Sequence, residues 1–315
     1  MENKRDFLKK LSFLTMGGMV AGSVAPAIAA NKKSIAVAGK KLIGLQIYSL
    51  MKELTDDVPA GMIKIKEIGF STIELAGYRD HKMGIYEVDA YRKIVEDAGL
   101  KITSAHVNPP ERTYTKENIA GISEWWKKTV EDHVKLGVGR LIQPGMPTIE
   151  TQDDAKLVGE VFNNAGEIAK AAGIKFGYHN HNMEFKRIAK PGETLPTGPG
   201  AILRPTGEVI YDLMLAATDP ALVFFEMDVY WTVMGQTDPL DYFEKYPTRI
   251  QVLHIKDRSV LGQSGMMNFE NIYKKAYSIG INEFYVEIEK TKPGMTQFEG
   301  VKGCFDYLNN ASFVK

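Results

Sequence analysis

Ile68-Gly69-Phe70-Ser71-Thr72-Ile73-Glu74-Leu75 joins the end of an amphipathic stretch, a glycine turn and a short apolar run that closes around an acid. Glycine just beyond a helix takes the left-handed cap conformation at little cost, so Gly69 marks a helix-to-strand turn. The same punctuation recurs at Ala98-Gly99, Leu136-Gly137, Ala172-Gly173 and Ile279-Gly280. Working outward from these turns, eight apolar β-like runs emerge: Leu42–Tyr48, Thr72–Leu75, Ile102–His106, Arg140–Gln143, Ile174–His179, Val223–Asp228, Gln251–Ile255 and Phe284–Ile288. Between or after them, apolar residues recur at three-to-four spacing over Ala60–Ile68, Val88–Ala98, Ile122–Leu136, Ala155–Ala171, Val209–Ala217, Phe269–Ile279 and Phe298–Leu308, which predicts helices. The strands read as continuous apolar runs, as buried parallel strands do. Eight such units predict a single-domain α/β fold, a (β/α)8 TIM barrel over residues 42–315.

Of the 315 residues 44% are hydrophobic and 25% charged, the make-up of an ordinary globular protein. Basic and acidic residues number 39 each, which argues against a nucleic-acid-binding surface. The first thirty residues differ in kind. Lys4, Arg5, Lys9 and Lys10 precede an apolar run from Leu11 to Val24 and a small-residue end, Ala27-Ile28-Ala29. That pattern predicts an export signal over 1–30, with Asn3-Lys4-Arg5-Asp6-Phe7 similar to a twin-arginine signal, and a linker over 31–41. The expectation is a periplasmic or otherwise exported protein with no stable membrane insertion after cleavage, the apolar run being too short to cross a bilayer. Cys304 is the sole cysteine, so no intrachain disulfide can form, and its thiol is expected to pack in the last helix. Lys186–Gly207, with four prolines and four glycines, reads as a lid or rim over the barrel mouth.

In such barrels the active site is built at the carboxyl ends of the strands. Polar residues gather there: Glu74, His106, His179 and His181, Glu226 and Asp228, His254 and Lys256, Glu287 and Glu289. Within strands five to seven they fall in i, i+2 pairs, which point the same way. Converging carboxylates and imidazoles are costly to bury without partners, and one divalent ion reconciles them. Mixed Asp, Glu and His donors suit Mn, Co, Zn or Fe better than Mg or Ca. His81 and His133 are expected to be plain surface residues.

Gly69 to Leu75, Thr103-Ser104-Ala105-His106, Gly177-Tyr178-His179-Asn180-His181, Met227-Asp228-Val229-Tyr230-Trp231, Leu253-His254-Ile255-Lys256-Asp257 and Val286-Glu287 together make the chain resemble the sugar phosphate isomerase/epimerase superfamily, the xylose-isomerase-like barrels. That group includes ketose 3-epimerases, inosose dehydratase and family-two AP endonucleases. The resemblance implies a metal held on strands five to eight by Glu, Asp, His and Glu, which carries over to Asp228, His254 and Glu287. At the strand-five position this chain departs from the pattern, with His179 in place of Glu. In the epimerases the two Glu residues exchange a proton on opposite faces of one carbon. An imidazole in that pair points instead to a one-base reaction such as β-elimination.

The expected function is therefore that of a metal-dependent lyase or dehydratase acting on an unphosphorylated keto-sugar, keto-glycoside or polyol through an enediolate. Glu287, His179, His181 and Lys256 are the expected catalytic groups, with His179, Asp228, His254 and Glu287 on the metal. Glu74, His106, Glu226, Trp231 and Asp257 are expected to bind substrate. A sugar isomerase or epimerase of the same family and a catalytically silent carbohydrate-binding barrel are the competing readings. The partner is a small carbohydrate or polyol, not nucleic acid, and a homo-oligomer is left open.

Overall fold

The computed structural model of the chain describes residues 41–190, 192–195 and 206–315. The expected export segment and all of the linker except Lys41 lie outside them, as does the middle of the expected lid. Eight parallel strands close a barrel: β1 (Gly44–Gln46), β2 (Thr72–Leu75), β3 (Lys101–His106), β4 (Arg140–Gln143), β5 (Lys175–His179), β6 (Val223–Asp228), β7 (Ile250–Lys256) and β8 (Phe284–Glu287). Each pairs with its neighbours in sequence, and β8 closes on β1. Around them run α1 (Val58–Ile68), α2 (Val88–Asp97), α3 (Ile119–Leu136), α4 (Gln152–Ala171), α5 (Ile210–Ala217), α6 (Pro239–Lys245), α7 (Phe269–Ser278) and α8 (Gln297–Asn310). One major helix follows each strand, as a TIM barrel requires. No helix among the described residues is long and apolar enough to cross a membrane.

The glycine punctuation works as the sequence implied. Gly69, Gly99, Gly137, Gly173 and Gly280 all have positive φ, where an L side chain is strained. Asp57 caps α1 through the amide of Ala60, and reciprocal Thr/Asp and Thr/Glu capping boxes open α4 and α8. Inside the barrel, Ile142, Phe224, Val252 and Tyr285 form an apolar plug distinct from the main core between strands and helices. Two glycines make room for it. A Cβ on Gly44 would stand 2.6 Å from the Tyr285 ring, and one on Gly177 would stand 2.6 Å from that of Phe224. With its lower half filled by this plug, the barrel is open to polar chemistry only at the carboxyl ends of the strands.

Three α-helical features escaped the periodicity: the short helix Met51–Asp56 after β1, α6, and an extension, Val229–Met234, that follows β6 directly with Asp228 as its N-cap. The ends of the Pro- and Gly-rich stretch pair as a two-stranded antiparallel ribbon, Arg187–Ile188 with Glu208–Val209. A three-stranded ribbon over Tyr78–Glu87 stands on the β2–α2 connection. Cys304 is buried in α8, as expected.

Candidate active site

Strand register, more than sequence order, decides which polar side chains meet. Parallel pairing sets Glu226 beside His179, Asp228 beside His254, Lys256 beside Glu287 and Glu74 beside Gln46. The register slips between Ile73 and Glu74 and between Phe225 and Glu226. Such irregularities re-aim a side chain, and here each falls at a carboxylate turned into the barrel.

The lower part of the cluster is a closed hydrogen-bonded layer. Glu226 Oε2 accepts from His106 Nε2 at 2.7 Å and His179 Nδ1 at 3.0 Å, and lies 3.2 Å from His254 Nε2. Glu74 accepts from His254 Nε2 at 2.6 Å, Gln46 Nε2 at 2.8 Å and Ser104 Oγ at 2.5 Å. His254 Nδ1 faces Glu287 Oε2 at 3.0 Å, so this imidazole is flanked by carboxylates on both sides. Above it, Lys256 Nζ stands 2.6 Å from Glu289, 3.3 Å from Glu287 and 4.0 Å from Asp228.

Burial and these neighbours set the charges. Burial would raise Glu74, but His106 and His254 and the hydrogen bonds to it hold its carboxyl down at about 2. Burial and the Glu74 charge push Glu226 up to about 7. Asp228 is likewise raised to about 7, chiefly by burial, with Lys256 pulling the other way. Glu287 is held well below the carboxylate range, since Lys256 and His254 overcome its burial. Burial lowers His181 to about 4 and drives His179 far down, so both imidazoles are neutral. Facing carboxylates overcome burial at His254 and Lys256 and favour their protonated forms.

Glu74, Glu226, Asp228 and Glu287 are thus four buried carboxylates with a single lysine among them. The missing positive charge comes either from imidazole protons or from a cation. One donor atom from each of His179, Asp228, His254 and Glu287 lies within 4.8 Å of the others, and the same holds for His106, His179, Glu226 and His254. The latter quartet is already joined through Glu226 Oε2. In the former, Asp228 Oδ2 is buried without a hydrogen-bond partner, and a cation would satisfy it. The two imidazoles and two carboxylates of that quartet are a donor set suited to a first-row transition ion.

A cavity of about 610 Å³ opens above the cluster, within the range of small-molecule sites. His106, His179, His181, Glu287 and Glu289 are in its wall, together with Tyr48, Asn108, Arg112 and Glu184, which sequence reasoning missed. Glu184 accepts from the His181 amide and the Tyr178 hydroxyl, and so fixes the turn that presents His181. Gln46 was also missed, although it ends a barrel strand as the other site residues do.

Five residues stand elsewhere than the sequence implied. Glu74 and Glu226, like Asp228, His254 and Lys256, are buried beneath the cavity and outside its wall, and the two glutamates support the imidazoles rather than face a ligand. Trp231 does not floor the cavity either. Its ring lies 5.2 Å from Lys256 Nζ and 5.7 Å from the His181 ring, backing both. The Asp257 carboxylate turns away to accept from the amides of Arg258 at 2.7 Å and Gly262 at 3.0 Å. His133 is not a surface residue but fully buried in α3, with Nδ1 donating to the Thr129 carbonyl at 2.6 Å. His81 is the exposed residue expected, bonded to Asp132.

Residues 63–303 match the family described as xylose isomerase-like TIM barrel. The chain belongs to that family. Two crystal structures, each of a sugar phosphate isomerase/epimerase from Parabacteroides distasonis and differing in sequence, are similar to this xylose isomerase-like barrel. One is 53% identical, with a TM-score of 0.82 over 87% of this chain and 100% of that one. The other is 50% identical, with a TM-score of 0.83 over 89% and 99%. An inosose dehydratase of Clostridium beijerinckii is 26% identical over 64% of this chain and 67% of its own length. An L-ribulose 3-epimerase shares the fold at 17% identity, with a TM-score of 0.61 over 84% of this chain and 92% of that one.

Proposed function

We propose that the protein is a metal-dependent lyase that takes a proton next to a carbonyl and expels water or an alcohol from an unphosphorylated keto-sugar, keto-glycoside or keto-polyol. The observation that carries this reading is His179, which stands in the cavity wall with Nδ1 committed to Glu226 and neutral by burial. An imidazole brings no negative charge to offset a cation, so the site is more electrophilic than one with glutamate at that position. That favours release of a β-substituent over return of the proton. Similarity to inosose dehydratases supports the same reading.

His179, Asp228, His254 and Glu287 would hold the ion, which when bound supplies Lewis-acid polarisation of the substrate carbonyl. Glu74 and Glu226 orient the imidazoles by hydrogen bonds to their inner nitrogens, a device that fixes tautomer and direction. Neutral His181, in the cavity wall, takes the proton from the carbon and returns it to the departing oxygen on the same face, so the net change is loss of water or alcohol. Lys256, kept protonated by Glu287 and Glu289, donates to the oxygen that gains negative charge.

A sugar isomerase or epimerase of the same family is the second reading, favoured by the presence of both His181 and Glu287 in the wall of one cavity, which offers two proton-transfer groups. His179→Glu separates the two: elimination falls about tenfold or more and inversion at the carbon next to the carbonyl rises. Unaltered elimination in that variant removes His179 from the argument. The basic head and Ala27-Ile28-Ala29 end of the first thirty residues favour an exported protein and hence an unphosphorylated substrate; an intact Met1–Ala30 on protein from the cytoplasm would overturn that part.

A further inference from the structure

The loops after β7 and β8 enclose a second groove, of about 590 Å³. Among the described residues its walls carry Arg258, Lys290 and Lys292 with the hydroxyls of Ser259, Ser264 and Thr291, and no carboxylate. Among the described residues none of these three cations is paired with an acid, whereas Lys274, Lys275 and Lys302 on the neighbouring helices pair with Glu270, Glu244 and Asp306. Ser259 Oγ is buried without a hydrogen-bond partner.

The groove is built rather than incidental. Asp257 is buried, and its carboxylate gathers the amides of Arg258, Gly262 and, at 3.5 Å, Ser264, which curls the loop that carries Arg258, Ser259 and Ser264. Gly262 and Gly265, at φ +77° and +74°, allow the tight path. The three exposed cations share one groove, where a bound counter-charge would offset their mutual repulsion. Arg258 offers the planar fork that suits a tetrahedral oxyanion, and barrels frequently bind phosphate groups with the loops after strands seven and eight. The chain links the groove to the catalytic cavity through neighbouring residues. Lys256, two residues before Arg258, is hydrogen-bonded at 2.6 Å to Glu289, which precedes Lys290 and lies in the cavity wall.

We infer that this groove is a subsite for a tetrahedral oxyanion ester: a sulfate on the sugar, or a sulfate or phosphate on a unit joined to it, the reacting sugar itself staying unphosphorylated. What bears the ester rests on the carbohydrate reading above, but the binding it entails requires no turnover. The test is calorimetry of the full protein with glucose 6-sulfate, glucose 6-phosphate, glucose and sodium sulfate. It is repeated on Arg258→Ala/Lys292→Ala, both exposed positions, and on Lys274→Ala as a control. At least one ester should bind about tenfold or more tighter than glucose. That advantage should weaken with salt and vanish in the double variant alone, with glucose binding unchanged. The tighter of the two esters identifies the source of the oxyanion. Equal binding of esters and glucose, an advantage that survives the double variant, or sodium sulfate binding as tightly as either ester (an adventitious ion only) overturns the inference. Proton exchange on an uncharged substrate, measured on the same double variant, should persist. Exchange without ester preference overturns the subsite alone, and ester preference without exchange overturns the lyase reading alone.

Discussion

Asp228→Asn tests whether the cluster is shaped around a cation. The substitution keeps the side-chain oxygen that accepts from the Trp231 amide at 2.9 Å, so the helical turn that follows β6 retains its cap. It removes a charge that burial opposes: in metal-stripped protein the Asp228 carboxyl titrates at about 7 against an ordinary 3.8. A carboxyl whose folded value is raised destabilises the fold as pH climbs through that window, because the native state then holds a proton that the unfolded state has lost. At 1.36 kcal/mol per unit the penalty is about 4 kcal/mol at pH 8 and about 2 kcal/mol at pH 5. Against it stands about 2 kcal/mol for an asparagine NH2 placed where Oδ2 has no partner. Urea unfolding in EDTA should therefore find the variant about 2 kcal/mol more stable than the parent at pH 8 and nearly equal at pH 5. Added Mn or Zn should then stabilise the parent strongly and the variant little. A metal-stripped variant clearly weaker than its parent at pH 8, or one stabilised by metal as much as the parent, would show that Asp228 is not held there for a cation.

Lys256→Met should lower turnover about a hundredfold, since it removes the donor aimed at the developing oxyanion. Metal affinity, read by calorimetry, should hold or rise as a neighbouring positive charge disappears; a loss of affinity in step with turnover would reassign Lys256 to structural neutralisation of Glu287. His133 gives a pH signature away from the cavity. Burial lowers its value from 6.5 to about 4, so the unfolded state takes up a proton that the native state refuses, and stability falls as pH drops through that window. Between pH 7 and pH 5 the loss is about 2 kcal/mol, absent from His133→Phe, and parallel pH profiles for the two proteins would contradict it.

The barrel was legible because its punctuation is local. A glycine after each of five helices and an unbroken apolar run for each strand require no long-range knowledge. Strand-end placement was legible for the same reason, and it located His106, His179, His181 and Glu287 at the mouth. Depth was not legible. Glu74 and Glu226 lie at slips of register that no residue type announces, and those slips turn them under the imidazoles rather than toward a ligand. Asp257 is oriented by amides five and seven residues ahead, beyond the reach of a strand-end argument. His133 could have been found. Ile122, Trp126, Val130, His133 and Leu136 keep the three-to-four spacing of a buried face, and the histidine sits on it.

On the proposed reading this cluster removes a proton next to a carbonyl and expels a neighbouring oxygen. The most direct measurement is NMR of metal-loaded protein in heavy water with a panel of keto-sugars, keto-glycosides and inososes. The account predicts deuterium at the carbon beside the carbonyl and a product that has lost water or an alcohol, both abolished by a chelator. Inversion of a free ketose at C3 with solvent exchange and no elimination would contradict it.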